Sequence, residues 1–149
     1  QGDEPFINPK DIVKLNNNII SKNSDIGTLG NKITKDDFKD KSIVKVITNN
    51  NIEKKKISRA KKFLRKCKHP KKNTYGHIGI YQFRTSILKK FVNLRQSKNE
   101  IKHRLEQLRA IENGINIDVV YSKNKSFGID TVEDYVEIKK IMEYKIKKL

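Results

Sequence analysis

At 149 residues, with 34 Lys and Arg against 17 Asp and Glu and a formal net charge of +17, the chain is long enough for one domain and short for a complete nucleotide-using enzyme. Cys67 is the only cysteine, which excludes an intrachain disulfide and a cysteine-built metal site and suits a reducing cytosol. No stretch approaches the ~20 apolar residues of a membrane span. The basic charge raises nucleic-acid binding as a function class, although a richness in Lys, Asn and Ile along the whole chain explains the same excess.

The chain starts on Gln1-Gly2-Asp3-Glu4-Pro5, which reads as a strand end turning into a loop with carboxylates at its tip. A start on a tight polar turn, without Met, is expected of a cut through a larger α/β unit. Asn8 then caps a helix that begins at Pro9, with Asp11 in its first turn and Ile12, Leu15, Ile19 and Ile20 at helical spacing. From Ser21 to Lys41 the pattern breaks into a loop with a short strand or turn, where Gly27 and Gly30 supply flexibility. Ile43, Val44, Val46 and Ile47 make a strand, Asn49-Asn50-Asn51 a turn, and Ile52 to Ser58 a weaker return strand, so a hairpin is expected. The basic stretch from Lys54 to Lys72 reads as a solvated helix or mobile loop, or else as a patch for phosphates or another polyanion.

His77 to Phe83 alternates as a buried strand, and a helix follows over Thr85 to Leu94. A single helix is expected from Asn99 to Asn113, closed by Gly114 in a left-handed conformation. Ile115, Ile117, Val119 and Val120 form the next strand. A last helix opens on a Thr131/Asp134 capping box and turns Tyr135, Ile138, Ile141, Met142 and Ile146 to the core. Strands and helices mix throughout, which argues an α/β fold.

Asp3 and Asp130 each stand at the mouth of a strand-to-helix connection, where open α/β sheets gather ligand-binding groups. A Mg²⁺ held by carboxylates and substrate phosphates is chemistry such a pair serves. Asp130 also suits a plain helix cap, and Asp3 a plain turn residue. His77 suits a core or edge histidine, and Glu106 and Gln107 a solvated pair beside Arg104 and Arg109. Neither a Ser/His/Asp order, nor zinc spacing, nor a glycine-rich phosphate loop is present.

In order, the strings QGDEP, VKV, SR, HIGIYQFR, LEQLRAIENG and GIDTVEDY resemble the C-terminal two thirds of the 3-deoxy-manno-octulosonate cytidylyltransferase family, the CMP-KDO synthetases. The resemblance implies a transfer of CMP from CTP to the anomeric hydroxyl of an acidic eight-carbon sugar, with release of pyrophosphate, in lipopolysaccharide synthesis. It implies that Asp3 and Asp130 hold Mg²⁺ and that Gln1 lines the nucleotide site. Arg59, His77, Tyr81, Glu106 and Gln107 would surround the sugar, with the arginine fork suited to its carboxylate. The chain departs from the family pattern at Gly76, at His103, and at Lys61 and Lys62, which leaves a related acidic sugar as an alternative substrate.

The implied fold is a nucleotide-diphospho-sugar transferase-like, Rossmann-like mixed sheet flanked by helices, with the N-terminal nucleotide-binding strands absent. Residues 1–149 would form a single incomplete domain, with a basic loop or hairpin subregion at about 42–75. A sheet edge and apolar surface left uncovered would make the chain alone inactive and poorly stable. The full-length protein is expected to be a cytoplasmic homodimer without membrane or nucleic-acid partners. A basic nucleic-acid- or polyanion-binding module stands as the competing reading.

Overall fold

The computed structural model describes residues 4–5, 7–67, 71–124, 128–129 and 131–146. Gln1, Asp3 and Asp130 therefore lie outside the described residues. The first helix, α1 (Pro9–Lys22), starts as its sequence requires: the Asn8 side chain accepts the Lys10 N–H and Asp11 sits in the first turn. Leu15 and Ile19 are buried, whereas Ile12 and Ile20 face outward.

The segment read as a loop with a short strand or turn contains the strand β1 (Ile26–Asn31) and the short helix α2 (Lys35–Lys39), which opens on a Thr34/Asp37 capping box. Gly27 is not a source of flexibility there. A Cβ on it would stand 2.2 Å from Ile19 Cγ1 and 3.1 Å from Leu15 Cδ1, so the missing side chain is what lets α1 lie against β1. A sequence reading that treats glycine as a breaker loses such a strand.

The expected hairpin is also redrawn. β2 (Lys45–Thr48) is followed by one turn of helix, α3 (Ile52–Lys55), whose N–H of Lys54 is capped by Asn51. The return strand is β3 (Ile57–Leu64), inside the stretch read as a solvated helix or loop. Ser58, Ala60 and, past an irregularity in the pairing with β2, Phe63 are buried on one face, whereas Arg59, Lys61 and Lys62 are exposed, and Ile57 packs into the core on the other side of the sheet. The many lysines mask that pattern.

β4 (Thr74–Phe83), α4 (Thr85–Val92) and β5 (Ile117–Ser122) fall where the periodicity predicts them. The single helix expected over 99–113 is instead two, α5 (Lys98–His103) and α6 (Gln107–Glu112), separated by Arg104 at φ 52°. The final helix, α7 (Val132–Ile146), opens on the expected capping box, with Thr131 N–H bonded to Asp134 Oδ2 and Asp134 N–H to Thr131 Oγ1. Of its expected core residues Ile138 is buried and Tyr135, Ile141 and Met142 are exposed, while the Ile146 side chain lies outside those described.

The strands pair in the order β1–β4–β2–β3–β5 and the sheet closes back on β1. β1 and β5 run parallel and the other pairs are antiparallel. Closure depends on the long strands. β3 pairs through Ile57–Arg59 with β5 and through Ala60–Leu64 with β2, while β4 pairs first with β2 and then with β1. Among the described residues every strand has two neighbours, which corrects the expectation of an uncovered sheet edge. The expected uncovered apolar surface lies on the helices instead, at Val13 and Ile20 of α1 and at Val132 and Tyr135 of α7.

The core is in two parts. Ile26, Val46, Phe63, Tyr75, Ile117 and Val119 pack on one side with Phe91, Leu105 and Ala110 from the helices. Leu29, Ile57, Ile78 and Val120 pack on the other beneath Leu15 and Ile19 of α1. No described helix is long and apolar enough to cross a membrane.

Gly27→Ala should lower stability by about 1–3 kcal/mol through overpacking. Combined with Ile19→Ala, which removes both clashing carbons, the same change should cost much less than in the parent background. Urea unfolding of the four species tests this, and simple additivity would refute the close-approach account.

Candidate active site

β4 is interrupted where the chemistry gathers. Thr28 of β1 pairs with Tyr81, but the next residue, Leu29, pairs with Ile78, so Gly79 and Ile80 have no partner across β1. The bulge shortens the strand. Side chains four residues apart on a regular strand stand about 13 Å apart, yet the rings of His77 and Tyr81 are 5.4 Å apart. The bulge also supplies free backbone groups: the Gly79 N–H donates to Glu4 Oε1 at 3.2 Å, which ties the opening loop to β4.

The second wall comes from the break between α5 and α6. Ser97 and Glu100 form a capping box, and the buried Glu100 takes two bonds from Arg109, at 2.9 Å to Nε and 2.6 Å to the terminal nitrogen. On one continuous helix these residues would lie on opposite faces, about 13.5 Å apart along the axis. The left-handed Arg104 is what turns the chain so that they meet, and it leaves Glu106 and Gln107 at the start of α6. Arg109 further bonds the Leu94 carbonyl and lies 4.8 Å over the Phe91 ring. The expected pairing of Arg109 with Glu106 is the looser contact, at 3.8 Å.

Between these walls lies a cavity of about 870 Å³, in the range that small-molecule ligands occupy. His77, Tyr81, Glu106 and Gln107, four of the residues singled out from the sequence, line it together. Burial lowers the His77 pKa to about 4, so its ring is neutral near pH 7. Burial, and then the nearby Glu106 carboxylate, push the Tyr81 phenol up, so it stays a hydrogen-bond donor. Gln107 is buried, and among the described residues its amide has no hydrogen-bond partner.

Arg59 is not among the lining residues. It is half exposed on β3 with Nε 3.5 Å from Asp118 Oδ1. The arginines that do line the cavity are Arg65, just past the end of the same strand, Arg104, and the Arg109 already paired with Glu100. Arg65 donates to the carbonyls of His103 and Arg104 at 3.4 and 3.3 Å. Its own carbonyl accepts from the fully buried Lys45, which also bonds the Asp40 carbonyl. The sequence reading does not single out Arg65, because the expected return strand covers Ile52 to Ser58 whereas the strand runs instead over Ile57–Leu64, up to the residue before Arg65.

Glu4 and Gly128 line the same cavity. Glu4 follows Asp3, and Gly128 precedes Asp130 by two residues. Among the described residues no group of three or more His, Cys, Asp or Glu is arranged to hold a metal ion.

Residues 1–123 match the family model described as cytidylyltransferase. The chain belongs to the cytidylyltransferase family. Its curated relatives include the 3-deoxy-manno-octulosonate cytidylyltransferase of Thermodesulfovibrio yellowstonii, 45% identical over 90% of this chain and 55% of that protein. The enzyme of the same name from Parabacteroides distasonis is 38% identical over 90% of this chain and 57% of its own length. A solved structure of CMP:2-keto-3-deoxy-manno-octonic acid synthetase complexed with CTP superposes with a TM-score of 0.83 at 30% identity, covering 97% of this chain and 60% of that one. This cytidylyltransferase-family chain thus spans a little over half the length of the curated relatives it matches.

Two measurements probe the walls. Arg109→Met should destabilise the cytidylyltransferase fold by about 3–5 kcal/mol, because it strands a buried carboxylate, whereas Arg109→Met with Glu100→Met should recover much of the loss. A double variant no better than the single one would contradict this. For His77, the unfolded chain binds more protons between pH 6.5 and pH 4, so this residue's share of stability falls as pH drops through that window and levels off below it. His77→Gln should therefore reduce the loss of urea midpoint between pH 6.5 and 4.5; an unchanged loss would count against the buried neutral ring.

Proposed function

We propose that this chain forms the acidic-sugar site of a cytidylyltransferase that moves CMP from CTP to 3-deoxy-manno-octulosonate in lipopolysaccharide synthesis. The sugar's anomeric oxygen replaces pyrophosphate on the α-phosphorus of CTP. The observation that carries this reading is the meeting of His77, Tyr81, Glu106 and Gln107 with Arg65 and Arg104 around one cavity, in a chain whose relatives bear that enzyme's name.

Each group has a task its chemistry fits. Arg65 keeps its charge at any physiological pH and pairs with the sugar carboxylate, the task that the sequence motif suggested for Arg59. Neutral His77, the Tyr81 phenol and the Gln107 amide address hydroxyls, and exposed Glu106 accepts from them. Gln1 belongs to the nucleotide site in this proposal.

Asp3 and Asp130 would hold Mg²⁺, a hard cation that takes carboxylate oxygens. The lining of one cavity by Glu4 and Gly128 and the tether from Glu4 to Gly79 support that assignment. When bound, the ion would neutralise triphosphate charge. The homodimer and the cytosolic setting belong to the same proposal.

Adding 3-deoxy-manno-octulosonate to the isotopically labelled chain should shift side-chain resonances of Arg65, Tyr81 and Gln107. Arg65→Gln should weaken binding about tenfold or more, as loss of a charge-assisted bond does, and by more than Arg59→Gln. A response confined to the lysine face of β3, or salt-sensitive binding to arbitrary duplex without any sugar response, would overturn the proposal in favour of a polyanion surface.

A further inference from the structure

The two nitrogens of the His77 ring are not equivalent, and a buried threonine decides between them. Thr28 is fully buried. Its hydroxyl oxygen lies 2.9 Å from His77 Nε2, 2.7 Å from the Ile80 carbonyl and 3.3 Å from the Ile78 carbonyl. A threonine hydroxyl has one proton, and carbonyls only accept. Were that proton aimed at His77, the oxygen would face the Ile80 carbonyl at 2.7 Å with no hydrogen between two buried acceptors, an arrangement that loses a bond and adds repulsion. The proton therefore goes to the Ile80 carbonyl, and Nε2 must carry its own hydrogen and donate it to Thr28. Nδ1 is then the bare nitrogen, and among the described residues nothing hydrogen-bonds to it.

We infer that Thr28 is a positioning residue that locks His77 as the neutral Nε2–H tautomer, leaving Nδ1 to accept a hydrogen bond from a hydroxyl of the bound substrate. The β4 bulge is what makes this lock available. Because Gly79 and Ile80 have no partner on β1, the Ile80 carbonyl is free to take the threonine proton. The low pKa that burial gives His77 acts in the same direction, since a protonated ring would turn Nδ1 into a donor. The site then sorts its ligand's groups: a carboxylate finds no partner in Nδ1, whereas a hydroxyl does. The identity of that hydroxyl's owner, a polyhydroxylated acid, rests on the reading under Proposed function; the tautomer does not.

Long-range proton–nitrogen correlation spectra of the purified chain, labelled at histidine, read the tautomer directly. At neutral pH His77 should show a pyrrole-like Nε2 and a pyridine-like Nδ1. Thr28→Ser should keep that pattern, and Thr28→Val, of the same shape without the hydroxyl, should give a tautomer mixture. An Nδ1–H tautomer or a mixture in the unsubstituted chain overturns the inference even if Thr28→Val fails to fold. Added 3-deoxy-manno-octulosonate should shift Nδ1 and leave Nε2 near its place, with affinity in Thr28→Val falling in proportion to the lost Nε2–H population, about twofold for an even mixture. If other cavity residues respond and Nδ1 does not, the acceptor role is wrong. If nothing in the cavity responds, the sugar assignment fails, while the spectrum of the free chain still decides the role of Thr28.

Discussion

The cavity depends on one irregularity, the two-residue bulge at Gly79 and Ile80 of β4. A regular strand would satisfy every backbone group across the ladder and keep His77 and Tyr81 far apart. The bulge gives up that ladder locally and uses the freed groups elsewhere. One N–H holds the Glu4 carboxylate, one carbonyl holds Thr28, and the two rings close to 5.4 Å. Bulges commonly re-aim side chains beside functional sites. Here a single bulge draws together the opening loop, a buried hydroxyl and two rings that line the cavity.

The opposite wall is built on a different principle. A left-handed residue such as Arg104 costs about 1–2 kcal/mol in backbone strain, and the pair of Glu100 with Arg109 gives the break a fixed geometry in return. Both partners are mostly buried, and Arg109 also stacks over Phe91 and bonds the Leu94 carbonyl. A continuous helix over 99–113 could not form this pair, so the break and the ion pair imply each other. Lys45 does the same for the β3 end, spending a buried ammonium on the carbonyls of Asp40 and Arg65. Charged groups beside the cavity are thereby used to shape backbone, and Arg65, bonded to the carbonyls of His103 and Arg104, does so while lining the cavity.

What could be read from the sequence follows the same physics. α1, β4, α4, β5 and the start of α7 were legible because each carries its own signal: an Asn8 cap, alternation through His77 to Phe83, or the Thr131/Asp134 box. β1 is expected only as a short strand or turn within a loop, because Gly27 and Gly30 read as breakers, although in a sheet they allow close approach. β3 was lost under its lysines. The break in the 99–113 segment left no composition signal, because it is imposed by the tertiary contact between Glu100 and Arg109. The site was legible in the same degree. His77, Tyr81, Glu106 and Gln107, which the motifs name, line one cavity, whereas Arg65 reaches it from a strand, and Thr28 reaches His77 beside a bulge, that no local pattern announces.

The net charge is the property most easily misread. A balance of +17 suggests a surface that binds polyanions, and the exposed face of β3 has the residues for it. Yet the cavity is not uniformly basic. Three arginines, Arg65, Arg104 and Arg109, share its lining with carboxylates that include Glu4, Glu100 and Glu106, a phenol held protonated by burial, the Gln107 amide and a neutral imidazole. Arg65 is itself anchored to the carbonyls of His103 and Arg104. The lining comes from the bulge in β4 and the break between α5 and α6, and among the described residues none of the lysines that dominate the composition takes part in it.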